Sequence, residues 1–167
     1  LAAYADIRGE AALAWTDIST GAFHVMPCPL VRLAPELARL APREILVADG
    51  VRDDVLSVIA EAEIPVTPLS PSSFDRGSAA RRLQSLFQVN SLESFGAFAR
   101  PDRAAMGAIV DYLEITQKGK LPLLRPPSRT LAQRMMQIDA ATRRNLELTA
   151  SMNGGRSGSL LATIDKA

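Results

Sequence analysis

Residues 11–25 constrain the fold more than any other stretch of the sequence. Leu13 and Trp15 have the two-residue spacing of one strand face, and small residues occupy the other face. A cluster of turn residues over 17–21 ends in glycine, and Phe23 begins a second alternating run. Neither strand has a polar face. The pattern therefore predicts a β-hairpin inside a sheet that is covered on both sides.

Further elements follow at regular intervals on either side of this hairpin. The predicted order is three antiparallel strands, then helix, strand, helix and a weak edge strand: residues 1–7, 11–18, 21–27, 35–41, 44–48, 51–62 and 65–69. The first helix is expected to start at Pro35 and to bury Leu37, Leu40 and Ala41. The order predicts an α/β fold, a mixed sheet with right-handed crossovers and flanking helices.

The second half of the chain reads as mainly helical. One helix is expected from a capping box at Ser72 and Asp75, and a longer one from Pro101 to the cations near residue 120. Residues 121–127 are proline-rich and read as an extended, hinge-side linker. Beyond them we expect a strand at 135–138, a helix at 139–148, a glycine-rich loop at 154–158 and a truncated helix capped by Ser159.

Composition limits the class of protein. The 167 residues are 47% hydrophobic and 22% charged, and no apolar run approaches the ~20 residues of a membrane span. The lone Cys28 excludes an internal disulfide and suits the cytoplasm. Residues 1–99 carry 8 Lys and Arg against 12 Asp and Glu, whereas residues 100–167 carry 11 against 6. That basic part suits nucleic acid or an acidic partner, or simply a solvated helical face.

The sequence offers one weak candidate for catalysis. The strand order resembles the ribonuclease H-like fold, in which carboxylates hold divalent metal ions for phosphodiester hydrolysis. Asp6, Asp17 and Asp49 each follow or end a predicted strand. Turn chemistry accounts for Asp17 and Asp49, however, and Asp6 also lies beside a turn. We therefore expect no catalytic, cofactor-binding or metal-binding residues.

Other kinds of site find less support. One histidine, His24, is expected to be packed or exposed and not to ligate a metal, since zinc sites need three or four ligands. The sequence contains no Gly-x-Ser-x-Gly and no phosphate-binding loop of the Gly-x4-Gly-Lys type. The glycines before Ser159 resemble a phosphate cradle, but a plain connection is the expected role.

Several stretches resemble the MutS family of DNA mismatch repair proteins. The resemblance is carried, in family order, by residues 14–23 (AWTDISTGAF), 42–46 (PREIL), 91–96 (SLESFG), 112–122 (YLEITQKGKLP) and 138–148 (IDAATRRNLEL). It implies that residues 1–128 are a connector domain with a non-catalytic ribonuclease H-like fold. Residues 129–167 would begin the core, or lever, domain. The abrupt ends of the chain lead us to expect a piece of a longer protein.

The resemblance also implies what the parent protein does. MutS proteins bind mismatched DNA as homodimers, use ATP with Mg²⁺ to become a sliding clamp, and recruit MutL. The connector would pass conformational change between the mismatch-reading domain and the lever, and would contribute to MutL contacts. Two alternatives stay open at this point: a metal-dependent nuclease on the same fold, and a generic interaction module. Three carboxylates close together would favour the nuclease.

Overall fold

The computed structural model describes residues 1–117 and 122–130. Within them the chain forms six strands, four helices and two short 3-10 turns. The strands are β1 Ala2–Ile7, β2 Glu10–Asp17, β3 Ala22–Pro27, β4 Ile45–Ala48, β5 Val66–Leu69 and β6 Ser128–Arg129. The helices are α1 Leu30–Leu40, α2 Asp53–Glu61, α3 Arg76–Phe87 and α4 Arg100–Thr116, and the turns are Pro71–Phe74 and Leu92–Phe95.

The strands form one mixed sheet in the order β5-β4-β1-β2-β3-β6. Strands β1, β2 and β3 pair antiparallel, whereas β4, β5 and β6 each join a parallel neighbour. This arrangement confirms the predicted fold class. Strand β5 lies at an edge as expected, since Pro68 has no N–H to give a further partner.

Both faces of the sheet are buried, as the hairpin pattern predicted. On one face, Leu13 of β2 packs with Tyr4, Leu33 and Ile59 beneath α1 and α2. On the other face, alanines of β1 and β2 pack with Ile109 of α4 and Leu83 of α3. The small alanine side chains leave room for α4 to lie close across the middle of the sheet.

Helix α1 differs from its prediction. It begins at Leu30, so Pro35 lies inside it and not at its first position. The carbonyl that loses its usual N–H partner belongs to Val31, which is 87% exposed and open to solvent. Leu37 is buried as expected, but Ala41 is an exposed left-handed cap whose N–H bonds to the Leu37 carbonyl.

The cap at the start of α3 also differs from its prediction in one residue. Asp75 caps this helix as predicted, accepting the Ser78 N–H at 3.0 Å. Ser72 takes no part in that cap. It belongs to the preceding 3-10 turn, where its own N–H is accepted by Ser70. Helix α4 begins at the predicted place, with Pro101 and Asp102 in its first turn.

The proline-rich stretch is extended as predicted but is not a free linker. Leu124 and Pro127 are buried, and the Arg125 N–H bonds to the Gly21 carbonyl at 2.8 Å. Strand β6 lies across the boundary predicted at residue 128, and that boundary stays a prediction. The elements expected at 135–148 and 154–159 lie outside the described residues. In the described part of the chain, no helix combines the length and apolar character needed to cross a membrane.

Candidate functional site

Asp6 and Asp49 lie at the carboxyl ends of two neighbouring parallel strands. Strand β1 pairs with β4 so that Ala3 is opposite Leu46, which brings Asp6 level with Asp49 three residues later. Both line a cavity of about 450 Å³ that also includes Tyr4 and Arg52. The carboxyl edge of parallel strands is the usual place for ligand sites in α/β sheets. This cavity is therefore the candidate site in the described part of the chain.

Asp17 lies at the opposite end of the sheet. Ala11 is the β2 residue opposite Asp6, and Asp17 is six residues farther along the same strand. At about 3.4 Å per residue this is a separation of about 20 Å. The three predicted carboxylates therefore cannot share a metal ion. Among the described residues, no group of three or more His, Cys, Asp or Glu side chains is arranged to hold one.

The Asp6 carboxylate already has a cationic partner. Its Oδ2 lies 3.3 Å from the Arg52 guanidinium, and its Oδ1 accepts the Gly9 N–H at 3.1 Å. Arg52 also pairs with Asp54 at the start of α2. Arg52 therefore bridges two carboxylates, and the Asp6 side chain at this edge is already held in an ion pair.

Asp17 and Asp49 both lie at turns, as the sequence indicated, and Asp17 uses its carboxylate there. Asp17 accepts the Ser19 N–H at 2.9 Å and the Ser19 hydroxyl at 2.6 Å. These hydrogen bonds lower the pKa of Asp17, and the bond from the Ser19 hydroxyl has the larger effect. Asp49 is exposed and lies in the turn between β4 and α2, which the Val51 N–H closes on the Ala48 carbonyl at 3.0 Å.

Tyr4 and Arg52 are the residues of this edge that sequence reasoning missed. Tyr4 is only 1% exposed, and its hydroxyl has no hydrogen-bond partner among the described residues. Burial raises the pKa of Tyr4 well above its usual value, so the phenol stays protonated at neutral pH. As a neutral phenol it can donate or accept a hydrogen bond. No spacing in the sequence distinguishes these two residues.

His24 is a packed side chain, as predicted. Its ring stacks on Trp15 with the ring centroids 5.3 Å apart, and the Arg39 guanidinium lies 5.5 Å from the Trp15 ring centre. Burial, and then the charge of Arg39, lower the pKa of His24. The imidazole is therefore neutral at pH 7. It packs on the face of β2 and β3 that α1 covers, beside Trp15 and Arg39.

Cys28 is fully buried, and burial raises the pKa of its thiol to about 12. The neutral thiol favours the folded state below the unfolded pKa of about 8.5, and this contribution is lost as pH rises through the folded value. We predict that Ellman's reagent labels the native chain slowly at pH 8, at the rate of unfolding. The same chain in concentrated urea should react at once. Immediate labelling of the native chain would contradict the buried position.

With this geometry established, similarity to known proteins identifies the chain. Residues 1–125 match the sequence model of the family described as MutS domain II. The chain belongs to the MutS family. It is therefore a stretch of a DNA mismatch repair protein that contains the connector domain, as the sequence resemblance implied. Neither the nuclease nor the generic interaction module is favoured by this match.

Curated MutS relatives agree over the whole chain. The DNA mismatch repair protein MutS of Ruegeria sp. (strain TM1040) is 60% identical over 167 residues, covering 99% of this chain. That of Cereibacter sphaeroides (strain ATCC 17025) is 61% identical over 166 residues, and that of Paracoccus denitrificans (strain Pd 1222) is 60% identical over 167. The chain spans 19% of the length of each of these relatives.

Proposed function

We propose that this stretch is the connector of a longer MutS protein and joins a mismatch-reading domain to a lever and ATPase part. The family match over residues 1–125 is the observation that carries the proposal. Binding of mismatched DNA, use of ATP with Mg²⁺ and formation of the homodimer belong to the parent protein. The proposal includes a cytoplasmic location, where Cys28 stays reduced, and residues 129–167 as the start of the lever.

The packing of the sheet supports a mechanical role. Side chains fill both faces, with Leu13 and Leu37 buried on one side and Ile109 and Leu83 on the other. A close-packed core does not deform continuously under load. A displacement at one side of the domain is therefore transmitted to the other side. A domain of this kind, placed between two moving parts, couples them by rigid-body movement.

The chain carries no reactive centre of its own in this proposal. The guanidinium of Arg52 pairs with Asp6, and Asp17 lies at the far end of the sheet. No residue is therefore assigned a catalytic, cofactor-binding or metal-binding role.

We predict that the purified chain with Mg²⁺ or Mn²⁺ leaves supercoiled plasmid and mismatched duplex intact. Its melting temperature should be the same with the metal and with EDTA, because Arg52 already pairs with Asp6. The Arg52→Ala variant is the matched control, since it frees the Asp6 carboxylate. Strand scission by the unmodified chain that EDTA abolishes would show that the nuclease alternative is correct.

Recruitment of MutL gives a direct test of the connector role. Excess chain, added to full-length MutS on mismatched DNA, should lower MutL recruitment by competing for the same MutL surface. Mismatch binding by full-length MutS, measured in the same reaction, is the internal control. Mismatch binding should not change, because residues 1–125 match domain II, which the proposal assigns to connecting and not to reading mismatches. Undiminished MutL recruitment at saturating chain would contradict a MutL contact in this stretch.

A further inference from the structure

The segment of residues 122–130, here called the exit segment, is fastened along β3. Its Arg125 N–H bonds to the Gly21 carbonyl, and its Thr130 N–H bonds to the Val25 carbonyl, both at 2.8 Å. Between these bonds, Ser128 is opposite His24 in a parallel ladder only two residues long. So short a ladder supplies few backbone bonds. Burial of Leu124 and Pro127 adds to them, and so does a contact at Arg129.

The contact at Arg129 is an ion pair. Arg129 Nε lies 3.2 Å from Asp102 Oδ2, which also accepts the Ala99 N–H at 2.9 Å. The Asp102 side chain is 1% exposed and that of Arg129 is 32% exposed. A buried carboxylate is costly without a partner, and removing one member of such a pair leaves that cost unbalanced. Arg129 is thus the cation that balances Asp102.

The position of Asp102 connects the exit segment to the body of the domain. Asp102 lies in the first turn of α4, a helix of 17 residues with ten of them buried, among them Ile109 and Leu113. That helix packs across the central strands. A pull on Arg129 therefore acts on the most deeply buried helix of the domain and not on a surface loop.

We propose that Asp102 and Arg129 form a latch that holds the exit segment on the sheet, so that the exit segment up to Thr130 moves together with α4. This inference rests on the proposed connector function. It replaces the interpretation of residues 121–127 as a hinge, since Leu124 and Arg125 are held against the sheet. In this role Arg129 is a positioning residue for the coupling between mismatch reading and the ATP-driven change.

Variants of the full-length MutS protein test the latch. Arg129→Ala removes the guanidinium, and Arg129→Lys keeps a charge within reach of Asp102. Arg125→Ala is the matched control, because Arg125 is an exposed arginine in the same segment whose backbone N–H, and not its side chain, bonds to Gly21. Two quantities are measured: amide hydrogen exchange of peptides covering residues 122–130, and the rate of ATP-triggered release from mismatched DNA.

For Arg129→Ala we expect amide exchange in the exit segment to be about tenfold faster, as for the loss of a hydrogen bond to a charged group. ATP-triggered release should slow by about tenfold, within the range seen for residues on a coupling route. Arg129→Lys should recover part of the amide protection and part of the release rate. Arg125→Ala should match the unmodified protein in both measurements. A merely structural role would lower the melting temperature without changing the release rate of the folded protein.

Each contrary outcome has a definite meaning. Equal exchange in Arg129→Ala and Arg125→Ala would show that the ion pair does not hold the segment. Faster exchange with an unchanged release rate would show that the held segment does not transmit movement. Either result overturns the latch. Failure of the unmodified protein to release mismatched DNA on ATP addition would instead contradict the proposed function, and the exchange comparison would still decide whether Arg129 holds the segment.

Discussion

Gly21→Ala is expected to lower the free energy of unfolding of the chain by about 3 kcal/mol, from positive-φ strain plus a backbone clash. Gly21 has φ +72°, a conformation that side chains with a Cβ adopt only at a cost. An added Cβ would also overlap the carbonyl oxygen of Leu123. Because that oxygen belongs to backbone, it cannot turn away as a flexible side chain would, so the exit segment must move off the sheet.

Gly9→Ala is the matched control for this prediction. Gly9 has φ +84°, but a Cβ there would meet nothing within 4 Å. This substitution should therefore show only the conformational cost, about 1 kcal/mol. Urea unfolding of both variants measures the two values. Equal losses at Gly9 and Gly21 would mean that the close approach of Leu123 contributes nothing to stability.

Gly107→Ala is the second large effect, and we expect it to lower the free energy of unfolding by about 2 kcal/mol. Replacing glycine by alanine inside a helix normally stabilises it by up to about 1 kcal/mol. Here the new Cβ would overlap the Cβ of Ala79 and lie 2.7 Å from its Cα. Helices α3 and α4 would have to separate, which loosens the packing over the alanine face of the sheet.

Two further variants isolate the helix contact. Gly77→Ala in α3 is the control, because Gly77 is exposed and its added Cβ would meet only the Asp75 carboxylate at 3.4 Å. It should be neutral or stabilising, opposite in sign to Gly107→Ala. Ala79→Gly combined with Gly107→Ala should recover part of the loss. If thermal unfolding gave Gly77→Ala and Gly107→Ala the same sign, the close approach of the two helices would be refuted.

Local patterns in the sequence were sufficient to predict most of the sheet. The alternation through Leu13 and Trp15 placed both faces correctly, because side chains on a strand alternate with a period of two. The start of α1 was not predicted, since the rule that proline begins a helix took precedence over the apolar spacing of Leu30, Leu33 and Leu37. Strand β6 has two residues and no alternation, and only its distant partner β3 makes it a strand.

The candidate site was predictable in part. Asp6 and Asp49 line one cavity because they lie at the carboxyl ends of parallel neighbours, which the order of elements implied. The far position of Asp17 was also within reach, since β1 and β2 are antiparallel and must end at opposite edges. The pairing of Asp102 with Arg129 could not be predicted from the sequence. It joins residues 27 apart through tertiary packing, which leaves no local pattern.

The register of β1 and β6 has a mechanical consequence. Leu1 exchanges two backbone hydrogen bonds with Thr16, and Thr130 is bonded to Val25 beyond the other end of the ladder. Strands β1 and β6 point the same way on either side of β2 and β3. The registers place Ala2, Trp15, His24 and Ser128 on one row across the sheet, so Thr130 lies about 14 Å from Leu1 across the strands and only about 10 Å along them. Tension between residues 1 and 130 would therefore act largely across the strands, and the two-residue ladder of β6 would be the first to open.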